Sequence, residues 1–576
     1  MKLTRRDFIK TLGLGAAAAG FYRLSREKTP AVRADSPAAA PLTPAVTRRD
    51  GRFEIDFSRR LQVPDSKDPL AAEWVQSAKN MEPVIPHDDQ ASAVQKKLDA
   101  LYKKTGKRPN VLVFLMDNVG YGDMGICGGG LLSGAPTPNF DRLGHEGLHL
   151  LSCYSQPSCT PTRVTLLTGR LPMRTGQLRP SFAGEPGGLG DEITIAKLLS
   201  DSGYTTQAVG KWHCGENTES QPQMVGFDDF YGFLGWSGLY TDWQDVNFAP
   251  EFALSPDRQA LVSSEDFNPN VVHGVKGQPV EDIKEITIEV SAQLDDMFAS
   301  YSEDFLTKMA SSDKPFFLYH CTRGGHFKNY PNPDFEGKSP AKYPYKDCIV
   351  EMDNVLGRLV KVLEDTGQLE NTLIFVTSDN GPDIEPWPDA GWSPFRGGIG
   401  GTWEGSVRVP TVAYWKGMIS PGQQTDGIFA LQDLFNTSLG LAGALNKMPT
   451  DRYIDGVDQT SFLLTDEGLS NRKYNWYWLG DTFSGLRVAE YKFMLTGMSD
   501  DAWDVVNPGS VTNLETYKNG RLYNLYLDPK ERYSFFGRQT FMDNLFSDPI
   551  GFHKQTFIDY PPKKYQTIFE NIVTSR

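Results

Sequence analysis

A cysteine and an arginine stand four positions apart in the segment Cys159-Thr-Pro-Thr-Arg163, which continues into Leu167-Thr-Gly-Arg170. The proline predicts that a helix starts just after the cysteine, because proline favours the first turn of a helix. A helix N-terminus has unpaired N–H groups and a partial positive charge, so it suits an anion. The same field lowers the pKa of a thiol, so we expect Cys159 to be reactive. The alternative is a buried or disulfide-bonded cysteine beside a surface arginine.

Two pairs of acid and amide side chains each follow an apolar run. Asp117-Asn118 follows one run, and Asp379-Asn380 follows another and precedes Gly381. Either pair alone is common in turns. Together they offer only oxygen ligands, which hard cations such as calcium and magnesium prefer, whereas zinc favours histidine or cysteine. The two pairs therefore predict a metal site.

Two further polar segments follow predicted strands. One contains Lys211-Trp-His213, and the other contains Gly324-Gly-His326. A lysine and a histidine at a strand end are more often surface residues when they are taken alone. His320 competes with His326, and we interpret His320 as the last residue of a buried strand.

These segments, in this order, resemble the motifs of the sulfatase family. The family signature is Cys-x-Pro-x-Arg followed by Leu-Thr-Gly-Arg, and residues 159–170 match each defining position. Residues 210–213 resemble the family's Gly-Lys-Trp-His motif, and residues 405–410 are close to its Gly-Gly-Val-Arg-Val-Pro segment. The family often has prolines around its second active-site histidine, and none is adjacent to His326. The resemblance covers roughly residues 108–530.

The resemblance implies a sulfuric ester hydrolase, arylsulfatase-like, that acts on an aryl or carbohydrate sulfate ester. In this family the cysteine is oxidised by a maturase to formylglycine, and the hydrated aldehyde is the nucleophile. The resemblance further implies bound calcium, with magnesium as an alternative, held by Asp117, Asn118, Asp379 and Asn380. The implied catalytic residues are Cys159, Arg163, Lys211, His213 and His326. Among them, Arg163 and Lys211 hold the nucleophile, His326 donates a proton to the leaving group and His213 accepts one.

Two positions depart from the family pattern. Most sulfatases have a second aspartate where this chain has Asn118, and most have a sulfate-binding lysine where it has Ile399. One substitution removes a negative charge and the other a positive charge, so we hypothesise that they compensate each other. Arg396 is then a candidate to extend towards the position that this lysine occupies in most sulfatases.

Two other functions compete with this interpretation. A phosphonate or phosphate ester hydrolase of the same alkaline-phosphatase-like superfamily can also carry formylglycine. A periplasmic binding protein that kept the fold and lost activity would have an unmodified thiol at Cys159 and no bound metal. The natural substrate is left open, because the aromatic residues of the expected specificity loops within residues 215–273 suit either sugar stacking or core packing. These aromatic residues are Trp236, Tyr240, Trp243 and Phe248.

The elements that position these residues alternate between buried strands and amphipathic helices. Apolar runs predict strands at residues 111–116, 205–209, 316–320, 373–377 and 412–415, and helical spacing predicts helices at 91–104, 193–202, 283–309 and 345–364. This alternation is typical of an α/β fold with a large, mostly parallel sheet flanked by helices, as in alkaline phosphatase. Short aromatic strands at residues 474–479, 486–495 and 521–527 predict a smaller C-terminal domain with an antiparallel sheet.

Composition limits the function classes. The 576 residues carry a formal net charge of −14, which argues against a nucleic-acid partner. The six cysteines have neither zinc-type spacing nor an evident disulfide framework. An anionic substrate remains compatible with the negative charge, because a metal ion and local basic residues can reverse the field in a pocket.

The N-terminus resembles a twin-arginine export signal. Arg5-Arg6 precedes Phe8 and a modest apolar stretch, which is too short to be a good transmembrane helix. We therefore expect a signal peptide over residues 1–34, the twin-arginine translocase as a partner, a periplasmic or exported location and no stable membrane insertion. The other predicted boundaries are a linker and arm over residues 35–107, a catalytic domain over 108–445 and a C-terminal subdomain over 446–576.

Overall fold

The computed structural model describes residues 45–49, 52–56, 68–182, 184–262, 268–384, 386–498 and 514–564. The predicted export signal lies outside these residues, as does most of the linker that follows it. Within the linker and arm, two strands form an antiparallel pair, β1 (Ala45–Arg49) and β2 (Arg52–Asp56). The boundaries placed at residues 108 and 446 remain predictions.

A ten-stranded mixed sheet forms the centre of the fold. Its strands in chain order are β3 (Asn110–Met116), β4 (Leu148–Leu150), β6 (Thr205–Lys211), β7 (Asp229–Phe233), β8 (Asn270–Val275), β9 (Glu281–Glu285), β10 (Phe316–Cys321), β11 (Thr372–Ser378), β12 (Thr411–Tyr414) and β13 (Gln423–Thr425). The spatial order is β13-β4-β12-β11-β3-β10-β6-β7-β8-β9. A separate short pair joins β5 (Cys153–Tyr154) and β14 (Phe429–Ala430) in parallel.

The middle of this sheet is parallel, and its three central strands are fully buried. Strands β11, β3, β10, β6 and β7 pair in parallel, and every residue of β3, β10 and β11 is buried. Strands covered on both faces are continuous apolar runs, which is why the sequence predicted them. Their carboxyl ends meet at one edge of the sheet, so the residues that follow them become neighbours.

Two buried apolar clusters line the sheet. The helices are α1 (Asp88–Thr105), α2 (Pro138–His145), α3 (Cys159–Thr168), α4 (Pro172–Thr175), α5 (Ile195–Ser200), α6 (Ser237–Thr241), α7 (Pro250–Ala253), α8 (Pro256–Gln259), α9 (Ile288–Ser291), α10 (Leu294–Ala310), α11 (Pro344–Asp365), α12 (Glu404–Val407), α13 (Asp433–Ala442), α14 (Thr460–Leu464) and α15 (Asn544–Asp559). The α/β prediction is confirmed.

The prediction of one long helix over residues 283–309 is wrong. Its first residues belong to the exposed edge strand β9, which pairs with β8. The Thr287 side chain then accepts a hydrogen bond from the backbone N–H of Val290, so that helix α9 starts only there. Helix α10 follows separately from Leu294. An apolar pattern that continues through an edge strand and two helices looks like one helix in the sequence.

The predicted antiparallel sheet in the C-terminal region is confirmed. It contains β15 (Tyr474–Leu479), β16 (Thr482–Val488), β17 (Tyr491–Met498) and β18 (Leu514–Asn524) in that order. The single strand predicted over residues 486–495 is instead a hairpin, in which Ala489 has a φ of 47°. This turn reverses the chain where the apolar pattern alone does not mark a break.

A buried ion-pair network ties this antiparallel sheet to helix α12. The Lys492 side chain is fully buried, and its Nζ lies 3.1 Å from Glu404 Oε1 and 2.8 Å from Glu531 Oε1. Helix α12 in turn supports the turn after β11, because the Gly381 N–H donates to the Ser406 carbonyl at 2.8 Å. The network therefore helps to position the residues that follow β11.

Replacing Lys492 by Met should destabilise the protein by about 3–5 kcal/mol, because it leaves buried carboxylates without their cation. Chemical denaturation monitored by circular dichroism measures this change. The matched control is Lys518→Met on the exposed face of β18, which should leave the free energy of unfolding nearly unchanged. Equal effects of the two substitutions would contradict a stabilising role for the network.

Candidate functional site

The two acid–amide pairs meet at the carboxyl ends of β3 and β11. Met116 and Ser378 are partners in the parallel register, so Asp117 and Asp379 come next on adjacent strands. The Asn118 N–H donates to Asp379 Oδ1 at 3.1 Å, and Asn380 Nδ2 donates to Asn118 Oδ1 at 2.7 Å. All four side chains are buried. The structure thus brings together the four residues predicted as metal ligands.

Each of the two carboxylates has a buried cationic partner. Lys211 ends β6, and its Nζ lies 2.8 Å from Asp117 Oδ2 and 3.1 Å from Oδ1. Arg163 on α3 donates to Asp379 Oδ2 from Nε at 3.1 Å and from Nη2 at 2.8 Å. Arg163 Nη1 also donates to the Lys211 carbonyl at 2.8 Å. Two buried negative charges are therefore balanced by two buried positive charges.

Cys159 is the first residue of α3, so the helix starts one residue earlier than the proline suggested. Its side chain is buried, and burial raises the pKa of the thiol to about 11 although the charge of Lys211 opposes the rise. The expectation of a reactive thiol is therefore wrong. Removal from water outweighs the field of the helix N-terminus and of the nearby cations, so the unmodified side chain stays protonated at neutral pH.

The two predicted histidines have different free nitrogens. His213 follows β6 with a φ of 53°, and its Nε2 lies 3.1 Å from the Ser181 carbonyl. A carbonyl only accepts, so Nε2 carries the hydrogen, and the buried Nδ1 has no partner. In His326 the bonded nitrogen is Nδ1, which lies 2.5 Å from the Phe327 carbonyl. The unprotonated nitrogen is therefore Nδ1 in His213 and Nε2 in His326.

Burial, assisted by the charge of Lys211, lowers the pKa of both histidines. The pKa of His213 falls well below its ordinary value, and that of His326 falls to about 3. Both rings are thus neutral in the site without substrate. The competing residue His320 lies inside β10, fully buried and stacked on Phe114, as expected for a core histidine.

The residues at the strand ends fit a hard divalent cation. They offer two carboxylates and two amide oxygens, and the buried Asn380 Oδ1 has no hydrogen-bond partner. A buried acceptor without a partner is energetically costly. A cation coordinated by Asn380 Oδ1 would be such a partner. The donor set contains no sulfur or nitrogen ligand of the kind that zinc prefers.

Arg396 packs on an aromatic ring and binds a backbone carbonyl. Its guanidinium lies 3.7 Å from the centre of the Trp403 ring, and Nη1 donates to the Glu531 carbonyl at 3.0 Å. Ile399 is buried. The hypotheses that Arg396 reaches towards the lysine's position and that Asn118 and Ile399 compensate each other's charge both remain predictions.

Several residues beside this site were missed by the sequence interpretation. Ser181 supplies the carbonyl that orients His213, and no sequence pattern marks it. Arg323 is buried three residues before His326, and Asp242 and Lys328 lie in the loops around it. Arg323 had a weaker signal, because it comes two residues after a buried strand, whereas Asp117 and Asp379 follow their strands directly.

A second cluster of possible metal ligands contains Glu82, Asp455 and His553. Tyr453 and Trp476 donate to the Glu82 carboxylate, at 3.0 and 2.7 Å. Asp455 accepts hydrogen bonds from Arg174 and from the Leu171 N–H, at 2.8 to 2.9 Å. These carboxylate oxygens are already hydrogen-bonded, so the cluster is interpreted as a buried structural network.

No helix within the described ranges is both long and apolar enough to cross a membrane. None of the six cysteines, all of which lie in the described ranges, forms a disulfide bond.

Comparisons with known proteins agree with this geometry. The sulfatase family model matches residues 109–444. N-acetylgalactosamine-6-sulfatase of Canis lupus familiaris is 31% identical over 485 residues, which are 79% of this chain and 87% of that protein. Arylsulfatase A of Homo sapiens is 32% identical over 453 residues, which are 74% of this chain and 83% of that protein.

Among solved structures, PsFucS1 sulfatase from Pseudoalteromonas sp. superposes with a TM-score of 0.81 and 39% identity, over 85% of this chain and 99% of that chain. The family model covers more than half of the chain, and the relatives exceed 30% identity over most of its length. This chain belongs to the sulfatase family of sulfuric ester hydrolases.

Proposed function

We propose that this enzyme cleaves sulfate from a carbohydrate sulfate ester, with formylglycine at position 159 and a calcium ion at Asp117, Asn118, Asp379 and Asn380. Magnesium is the alternative ion, and an aryl sulfate is the alternative substrate class. The observation that carries the proposal is the position of residue 159, which is buried at the start of α3 beside the ion pairs Asp379–Arg163 and Asp117–Lys211. Burial also raises the pKa of the unmodified thiol to about 11, which favours a modified side chain as the nucleophile.

Formylglycine at position 159 would supply that nucleophile as an aldehyde hydrate, and a calcium ion held by the two acid–amide pairs would supply positive charge to polarise the sulfate oxygens. A sulfate ester repels anionic nucleophiles, so the pocket must neutralise charge and fix the orientation of the attack. Arg163 and Lys211 provide fixed positive charge beside residue 159. Their hydrogen bonds to Asp379 and Asp117 hold them in place before the substrate arrives.

His326 is placed to donate a proton to the leaving oxygen. Its Nδ1–H is engaged by the Phe327 carbonyl, so Nε2 is the nitrogen that can protonate the leaving group. The positive charge of Lys211 lowers the pKa of His326, and an anionic ester bound beside the ring opposes this effect. Substrate binding therefore favours the protonated acid that the reaction requires.

His213 is placed to accept a proton. Its Nε2–H is held by the Ser181 carbonyl, and the unpartnered Nδ1 is the basic nitrogen. The low pKa of His213 keeps this nitrogen unprotonated in the resting site. Both histidines thus begin the cycle with one unprotonated nitrogen, and the anionic ester beside His326 is what favours the acid role for that ring.

Two partners follow from the proposal. A maturase must oxidise Cys159, and we propose that this takes place before folding buries the side chain. We also propose that the twin-arginine translocase then exports the folded protein to the periplasm.

Replacing Cys159 by Ala should lower the kcat for sulfate esters by at least about a thousandfold, because the nucleophile is lost. Steady-state release of sulfate measures the effect, and mass spectrometry of the peptide containing residue 159 should detect an aldehyde in the parent protein. Cys127→Ala is the matched cysteine control. If the peptide from the parent protein holds only the thiol and the parent protein still hydrolyses sulfate esters at its normal rate, the mechanism is contradicted.

Replacing His326 by Asn should lower kcat by about 10²–10⁴-fold for an alkyl sulfate, because the general acid is lost. The loss should be much smaller for 4-nitrophenyl sulfate, whose leaving group needs little protonation. The exposed His145→Asn is the control. If both substrates lose the same factor, His326 does not protonate the leaving oxygen.

Replacing Asn118 by Asp should tighten calcium binding by about tenfold or more, because it adds a charged ligand. The same change should lower the melting temperature in the presence of a chelator, because a third buried carboxylate then lacks a cation. Isothermal titration calorimetry and thermal denaturation measure the two effects, with the exposed Asn247→Asp as control. Adding Ile399→Lys should restore the metal-free stability, and purely additive effects would reject charge compensation.

A further inference from the structure

Buried polar atoms without hydrogen-bond partners gather in two segments beside His326. In the segment after β7 they are Ser237 Oγ, Asp242 Oδ1 and Trp243 Nε1, and in the segment after β10 they are Arg323 Nε and Nη1. Arg323 is 1% exposed. A buried guanidinium with two nitrogens that lack acceptors is unfavourable unless water or ligand oxygens accept hydrogen bonds from them.

The two segments pack against each other. Lys328 Nζ lies 3.0 Å from Asp245 Oδ2, and the Tyr330 hydroxyl donates to the same oxygen at 2.8 Å. The rings of Phe248 and Phe327 are in contact, with their centres 6.3 Å apart. These contacts form one wall of the site, which the loop after β7 and the loop after β10 build jointly.

This wall includes the proposed proton donor. The ring of Trp236 lies against that of His326, with their centres 6.0 Å apart and their planes inclined by 36°. The charge of Arg323 contributes to the low pKa of His326, and it also acts on Asp242. The unpartnered atoms therefore lie on the side of the site where the leaving group is protonated.

The chemistry of these atoms suits hydroxyl groups. Arg323 and Trp243 offer N–H donors, whereas Asp242 offers an acceptor. A hydroxyl group both donates and accepts, so neighbouring hydroxyls on one ring can satisfy both kinds of atom. The half-exposed indole of Trp236 offers an apolar face of the kind that packs on the C–H side of a sugar.

The charges argue against a second anionic group on that sugar. Lys328 is neutralised by Asp245 at 3.0 Å. Arg323 lies near Asp242, and its own backbone N–H donates to Asp295 Oδ1 at 2.7 Å. The wall thus has no surplus of positive charge with which to bind a carboxylate or a further sulfate.

We propose that Asp242 and Arg323, with Trp236 as a stacking face, form the subsite that binds an uncharged sugar ring as the leaving group. This inference rests on the proposed function, which it refines to monosulfates of neutral sugars. The three residues contact the leaving group and determine specificity. They do not contact the sulfur atom that is attacked.

The test compares three kinds of substrate: methyl hexoside monosulfates, the matched sulfated hexuronates and 4-nitrophenyl sulfate. The parent enzyme should prefer the neutral glycosides to the hexuronates by at least about tenfold in kcat/KM. Asp242→Ala and Arg323→Met should each lower kcat/KM for the neutral glycosides by at least about tenfold, and by a clearly larger factor than for 4-nitrophenyl sulfate, which has no sugar hydroxyl groups. Asp257→Ala, an exposed aspartate in the same loop region, is the matched control.

The outcomes separate the two proposals. Equal losses on all three substrates, no loss on the neutral glycosides or a parent preference for hexuronates would overturn the subsite. Calorimetry with the Cys159→Ala protein adds a readout that needs no turnover. If the Cys159→Ala protein binds neutral glycoside monosulfates and the added Asp242→Ala change abolishes this binding, the subsite is supported. This holds even if the parent enzyme releases no sulfate, in which case only the proposed function fails. If Arg323→Met does not fold, the Asp242→Ala variant still tests the subsite, because Asp242 is half-exposed.

Discussion

Two adjacent buried carboxylates are the constraint on which the site depends. Asp117 and Asp379 follow neighbouring strands in the interior, where each ionised group loses its hydration. The cost is tolerable because Lys211 and Arg163 lie within hydrogen-bond distance. Strands β3, β11 and β6 and helix α3 must therefore keep their relative positions to within a fraction of an ångström, or the interior would hold an unpaired charge.

This constraint also explains two glycines of the motifs. A Cβ on Gly325 would lie 2.1 Å from the Asp117 carbonyl oxygen, so only glycine lets the loop of His326 pass over the end of β3. A Cβ on Gly381 would lie 1.9 Å from the Gly405 carbonyl oxygen, so only glycine lets helix α12 support the turn after β11. Both glycines are required by the close approach of two backbones. They keep the histidine and the carboxylates within one small volume.

The sequence predicted the parts of this arrangement that are local. Runs of buried apolar residues predicted β3 and β11, and the polar residues after them had to meet because parallel strands end at the same edge. The pKa of Cys159 could not be predicted in this way, because the burial of one thiol depends on how α3 packs against the sheet. Asp242 and Arg323 were missed for a similar reason, since two loops far apart in the chain bring them together. Edge strand β9 was taken for helix because a short exposed strand has no buried face to impose a period of two.

The contrast between the two buried acidic clusters indicates where a ligand belongs. Around Glu82 and Asp455, hydroxyl, indole, guanidinium and backbone donors already engage the carboxylate oxygens, so these two acids have the donors that their charges require. Around Asp117 and Asp379, the amide oxygen of Asn380 is buried with no donor to meet it. The same kind of deficit recurs at Arg323, whose donors lack acceptors. Folding alone would favour satisfying these atoms, so their persistence at the strand ends supports the proposed metal ion and the proposed sugar ligand as their partners.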